Sequence, residues 1–114
     1  MGGFLAISKS DLLQGTLDLL ILQTLQKGPL HGWGISRHIR ERTRDVLNIN
    51  QGSLYPALYR LEDRGVIAGS DALSEQGRRV RVYKLTAAGR RELTVEQSLW
   101  RQFAAAVDLV LQPT

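Results

Sequence analysis

NQGSLYPALYRLEDRG, residues Asn50 to Gly65, is the stretch on which the fold turns. Set at about 100° per residue, Leu54, Leu58 and Leu61 fall in one narrow sector with Ala57 beside them. Gly52, Pro56, Tyr59, Arg60 and Asp63 face the other way. One side is built to be buried. The other carries small, aromatic and cationic groups, with few of the Glu and Lys residues of an ordinary solvated face. A short helix with a dry keel and a flat, hydrogen-bonding outer face is what a DNA major groove accepts. An amphipathic core helix with an idle outer face has the same keel, so the flanking chain has to separate the two.

Working outward, Gly65 closes this helix and Val66-Ile67-Ala68 begins a strand. Residues 69–77 are polar and turn-rich. Arg79 to Leu85 then alternates, with Val80, Val82 and Lys84 on one side and Arg79, Arg81, Tyr83 and Leu85 on the other. Two strands around a polar loop make a hairpin whose edge bears Arg78, Arg79 and Arg81. Thr86 suits the cap of a last helix from Ala87 to about Leu111. Its Leu93, Trp100 and Val107 repeat at seven, joined by Phe103 and Val110.

On the other side, Val46 to Ile49 is too short for a helix and β-branched enough for a small strand. Before it, a helix from Gly32 to about Thr43 buries Ile35 and Ile39. Lys27-Gly28-Pro29 stops an earlier helix, Asp11 to Gln26, in which Leu13, Leu17, Leu20, Ile21 and Leu25 recur at helical spacing. Either Ser10 or Asp11 can cap that helix, and either Asn50 or Ser53 the central one; Pro56 lies near the latter's start, where a missing amide is tolerated.

The order helix, helix, short strand, helix, hairpin, long helix is α+β, mainly α: a winged helix-turn-helix with a long C-terminal dimerisation helix. Residues 1–10 are expected to form a flexible arm, 11–86 the DNA-binding domain and 87–112 the dimerisation helix. The apolar stripe of the last helix faces nothing that one compact domain offers, so a second copy of the chain should cover it.

At 114 residues the chain supports one domain, and 43% apolar with 23% charged residues is the balance of a folded protein. With no cysteine, disulfides and thiolate metal sites are excluded. The longest apolar run, Leu17 to Leu22, is broken by Asp18 and is too short to span a bilayer. The first ten residues lack a basic n-region and a cleavage pattern, and Ala6 breaks the myristoylation pattern, so a soluble cytoplasmic protein without a membrane partner is expected. The net charge of +4 is unevenly placed: Arg37 to Arg91 holds twelve Arg/Lys against six Asp/Glu, the remainder three against five. A basic middle segment points to a polyanion, with nucleic acid first.

Gln51, Ser53, Tyr55, Tyr59 and Arg60 are the candidate groove-facing residues, although Tyr55 lies at the edge of the buried sector. Gln and Ser can bond base edges or phosphates, and Arg can fork onto guanine or phosphate. Arg78, Arg79 and Arg81 of the hairpin suit the DNA backbone or a narrow minor groove, and Arg37 and Arg40 can add backbone contacts. His31 and His38, seven apart without a suitably placed carboxylate, make a poor metal site; His31 more naturally satisfies backbone groups before its helix. No metal, cofactor or catalytic constellation is expected, and the protein is read as not an enzyme.

Four runs resemble the PadR-like transcriptional regulators: GTLDLLILQTL (Gly15 to Leu25), GPLHGWGI (Gly28 to Ile35), QGSLYPALYRLEDRG (Gln51 to Gly65) and YKLTAAGRREL (Tyr83 to Leu93). Their order and spacing match the compact branch of the family, with a single C-terminal helix. Tyr59 stands where the family often has His, and Trp33 where Tyr is usual. The resemblance implies a homodimeric repressor on a roughly palindromic double-stranded DNA operator. Helix 51–64 would lie in the major groove and the 69–81 wing on the backbone or minor groove. Leu93, Trp100, Phe103, Val107 and Val110 would form the dimer interface. Some relatives sandwich flat hydrophobic effectors between such helices, which makes Trp100 the residue to hold a small hydrophobic or aromatic effector. The competing reading is a winged helix that uses its outer faces for a protein partner; the basic middle segment and the four runs favour DNA.

Overall fold

The computed structural model describes residues 11–113, with side chains from residue 16 onward. The expected arm over 1–10, the choice between Ser10 and Asp11 as cap, and the Leu13 side chain lie outside what is described. Among the described residues, four helices and three short strands follow one another as α1 (Asp11–Leu25), β1 (Leu30–His31), α2 (Gly32–Arg42), α3 (Gln51–Asp63), β2 (Ile67–Leu73), β3 (Arg79–Leu85) and α4 (Ala87–Leu111). The strands form one antiparallel sheet in the order β1-β3-β2, with Ile67 opposite Leu85, Leu73 opposite Arg79 and Leu30 opposite Tyr83. This is a winged helix: three helices around one core, a hairpin beside the third, and a long helix leaving from the sheet.

α1 runs through the middle. Leu17, Ile21, Leu22 and Leu25 are buried, and Leu19 and Leu20 pack against the same core. A helix apolar around most of its circumference has to be covered on several sides, and α2, α3 and α4 supply the cover. Ile35 and Ile39 of α2 and Leu54, Ala57, Leu58 and Leu61 of α3 close the core from one side, Ile67, Tyr83 and Leu85 from the sheet. Gly65, at φ +78°, ends α3 in the left-handed conformation expected of a helix-closing glycine.

Two strand expectations are corrected. Val46 to Ile49 is not a strand; the short strand is Leu30–His31. A strand needs a partner for its backbone, and only Leu30–His31 reaches the free edge of β3. The segment after α2 instead pairs locally: the Asp45 amide donates to the Arg40 carbonyl at 2.8 Å and the Leu47 amide to Thr43 Oγ1 at 3.1 Å. Ile49 becomes a core residue rather than a ladder member. β2 also runs to Leu73, beyond the expected Ala68, because β3 offers a continuous ladder that outweighs the poor strand propensity of Gly69, Ser70 and Asp71. The turn proper is confined to Ser74–Arg78, where the Ser74 amide donates to the Arg78 carbonyl at 2.8 Å and the Gly77 amide to the Ser74 carbonyl at 2.9 Å.

Candidate nucleic-acid interface

α3 begins at Asn50, whose side-chain oxygen accepts the Ser53 amide at 2.8 Å. That choice makes Ser53 a first-turn residue and places Pro56 sixth in the helix. Pro56 thus stands past the positions where an amide goes spare, and the Gly52 carbonyl cannot receive its usual donor four residues on. With Leu54, Ala57, Leu58 and Leu61 buried, the outermost line of α3 is Gly52, Pro56, Tyr59 and Asp63. Tyr59 is 74% exposed, Tyr55 45%.

The two flanks of α3 differ. On the wing side stand Tyr55 and Glu62, with Gln51 on the same line by helical spacing. Tyr55 lies across Gly32 at the start of α2, 3.0 Å from where a side chain there would begin. On the α1 side stand Ser53, Arg60 and Arg64. Ser53 and Arg60 border a hollow of about 350 Å³ floored by Leu17. Arg60 is paired with Asp18 of α1 at 3.3 Å, and Arg64 binds both Asp18, at 3.8 Å, and Glu92 of α4. The hydrogen bond to Glu92 is the chief reason the Arg64 guanidinium sits above its ordinary pKa.

The three wing arginines separate. Arg78 and Arg79 sit at the hairpin tip and make no ion pair among the described residues. Arg81 lies further down β3, where its guanidinium holds Glu62 at 2.6 Å and Asp71 at 3.5 Å. It crosses Gly69 so closely that a side chain there would begin 2.8 Å from its Nε. The Gly69 amide donates to the same Glu62 oxygen at 3.3 Å. Arg81 therefore pins the wing to α3, and its hydrogen bond to Glu62 raises its pKa above the ordinary value.

Between wing and helices lies an open groove of about 430 Å³, lined among others by His31, Trp33, Tyr55, Arg78, Arg79 and Tyr83. His31 caps α2, its Nδ1 accepting the Gly34 amide at 2.9 Å, as its position before the helix suggests. Its ring stacks on Trp33 with centroids 5.6 Å apart, and the Arg37 guanidinium lies 5.1 Å from the Trp33 ring. Arg37 also pairs with Glu41 at 3.0 Å, and Arg40 with Asp45 at 3.7 Å. Burial pushes the Tyr83 phenol up, so it stays neutral in the groove floor. Trp33, beyond standing where the family usually has Tyr, is a further member of this surface. The spacing of His31, Trp33 and Arg37 at a helix start was its signal. Glu62 and Asp18, the acids facing Arg81 and Arg60, had no local signal.

α4 is anchored at its base. The Thr86 hydroxyl accepts the Gly89 amide at 3.0 Å and donates to the Gly65 carbonyl at 2.7 Å. Gln97 donates to Gln23 of α1 at 2.6 Å. Leu93, expected at a dimer interface, is 2% exposed and belongs to the core. Its stretch of α4 packs on α1, so a partner could not reach it. Trp100, Phe103, Val107 and Val110 remain exposed, with the Trp100 and Phe103 rings 6.1 Å apart. Among the described residues no helix is long and apolar enough to cross a membrane, and no group of three His, Cys, Asp or Glu is placed to hold a metal ion.

The model of the transcriptional regulator PadR-like family matches residues 21–95. A transcriptional regulator of Mycobacterium tuberculosis is 33% identical over 94 residues, covering 82% of this chain and 84% of its own length. The negative transcriptional regulator PadR of Bacillus subtilis is 30% identical over 77 residues, but only 42% of its length is covered. Among solved structures, a transcriptional regulator from Clostridium thermocellum superposes with a TM-score of 0.83 at 28% identity, covering 90% of this chain and 100% of the other. A PadR-like transcriptional regulator from Bacillus cereus gives 0.79 at 25% identity, covering 92% and 100%.

Proposed function

The chain belongs to the PadR-like family of transcriptional regulators, DNA-binding proteins that are not enzymes, and from that premise we propose that it is a homodimeric repressor of a palindromic operator. The observation that carries this is the division of α3: a buried leucine keel beneath an outer line of Gly52, Pro56 and Tyr59, narrow enough to enter a major groove. Gln51, Ser53, Tyr55, Tyr59 and Arg60 address base edges or the flanking phosphates. Arg78 and Arg79, uncommitted at the wing tip, take the backbone or minor groove, and Arg81 holds the wing at the right distance from α3. Arg37 and Arg40 contribute charge from α2. Repression, rather than activation, is supported by the name of the Bacillus subtilis relative.

The second copy covers the α4 stripe of Trp100, Phe103, Val107 and Val110, and the two α3 helices then reach half-sites about one helical turn apart, roughly 34–36 Å. A small hydrophobic or aromatic effector seated against Trp100 between subunits would change that spacing and release the operator. Replacing Trp100→Glu places a charge in the apolar contact, at a cost of several kcal/mol. Light scattering should then report a monomer, and operator binding should weaken because the two half-sites are no longer linked. An unchanged dimer would remove α4 as the interface.

A further inference from the structure

Arg60, in the last turn of α3, and Arg64, just past its end, stand one turn apart and share a single carboxylate. Asp18 Oδ1 lies 3.3 Å from Arg60 Nη2, and Asp18 Oδ2 lies 3.8 Å from Arg64 Nη1. Arg64 is drawn from its other side by Glu92 of α4. The result is a chain of two acids and two bases, with the charge of Glu96 adding to the pull on Arg64, that starts on α4, passes the C-terminal end of α3, touches α1 and returns to the face of α3. Both acids are about a quarter to a third exposed, while the arginine side chains are about half exposed, Arg60 55% and Arg64 48%. The pairs are therefore partly screened and exchangeable, not locked.

Resting on Arg60 as an operator contact, we propose that Asp18 and Glu92 are positioning residues of the recognition helix: Asp18 competes with DNA for Arg60, and Glu92, acting through Arg64, sets how strongly. A guanidinium cannot serve Asp18 and a phosphate or guanine with the same donors, so DNA has to displace the carboxylate. Glu92 keeps Arg64 stretched between two acids, which leaves Oδ1 of Asp18 for Arg60. When Glu92 is withdrawn, Arg64 turns fully onto Asp18 and Arg60 is let go. Loss of the Glu92–Arg64 contact by a change of the Glu92 side chain alone would thus reach the DNA face through charge.

The test is a double-mutant cycle read by fluorescence anisotropy on a duplex pool enriched by selection against the parent protein. Asp18→Asn, which keeps the shape of the side chain, should tighten binding about two- to fivefold, the range of an exposed ion pair. Glu92→Gln should tighten it by less in the parent and leave it unchanged when combined with Asp18→Asn. Simple loss of negative charge would act equally in both backgrounds, and that additive outcome overturns the proposal. Should Asp18→Asn fail to melt like the parent, Asp18→Ser, which also removes the carboxylate, takes its place in the cycle. Arg60→Ala separates this from the operator reading itself. If Arg60→Ala binds as tightly as the parent, Arg60 is no DNA contact. If it binds more weakly while Asp18→Asn leaves the parent's affinity unchanged, Arg60 touches DNA and Asp18 does not restrain it.

Discussion

From Thr86 to Gln97, α4 is tied into its own chain at nearly every turn: a cap that also grips Gly65, a glycine pressed onto the Val66 backbone, a leucine in the core and an amide pair to α1. From Leu99 to Leu111 the same helix continues with Trp100, Phe103, Val107 and Val110 along one side and leaves them uncovered. Both halves read alike in sequence, as one apolar heptad pattern. The difference teaches that periodicity identifies the face to be buried but not what buries it. Leu93 and Trp100 are seven residues apart and nominally equivalent, yet one is a core residue and the other 39% exposed.

The contrast can be broken most sharply at Leu93. Leu93→Ala should destabilise the folded chain by about 2–5 kcal/mol, since a fully buried leucine leaves a cavity; a denaturant melt measures it. A loss below 1 kcal/mol would mean that the base of α4 is not part of the core.

Gly89 is the next largest. A Cβ there would stand 2.0 Å from the Val66 carbonyl oxygen, which is backbone and cannot swing aside. Gly89→Ala should cost about 1–3 kcal/mol as the hairpin or α4 shifts, even though alanine is the better helix former by about 1 kcal/mol. A thermal melt showing stabilisation would mean that α4 tilts freely on the Val66 backbone.

A smaller effect is expected at the cap. Thr86→Ala removes the acceptor for the Gly89 amide and the donor to Gly65, and a loss of about 1 kcal/mol is expected. Thr86→Ser keeps both bonds and should recover most of it; no recovery would shift the role to the threonine methyl group.

The smallest change sharpens the open half. Val110 is 83% exposed, and within one chain Val110→Ser should stay inside about 0.5 kcal/mol in a dilute melt. Its effect should instead grow with protein concentration, as linkage to self-association requires. A large, concentration-independent loss would show that the distal helix is covered by its own chain.

Much was legible in the sequence because it is short-range. The leucine spacing over Asn50 to Gly65 set the buried and open sides of α3, Thr86 announced the start of α4, His31 its capping role, and the alternation of Arg79 to Leu85 a strand; each signal lies within a turn or two of the residues it describes. The four quoted runs carried the family, and with it DNA binding. Only the tertiary structure could decide what depends on distant partners. Leu30–His31 rather than Val46–Ile49 became a strand because Tyr83 and Val82 lie beside it, and β2 extends to Leu73 because β3 continues opposite it. Leu93 went to the core because α1 lies beneath that part of α4. Arg60 met Asp18, forty-two positions away, and Arg81 met Glu62, nineteen away. Ladders and ion pairs join groups whose separation in the chain carries no period, so the sequence supplies the charges and the fold alone selects which of them meet.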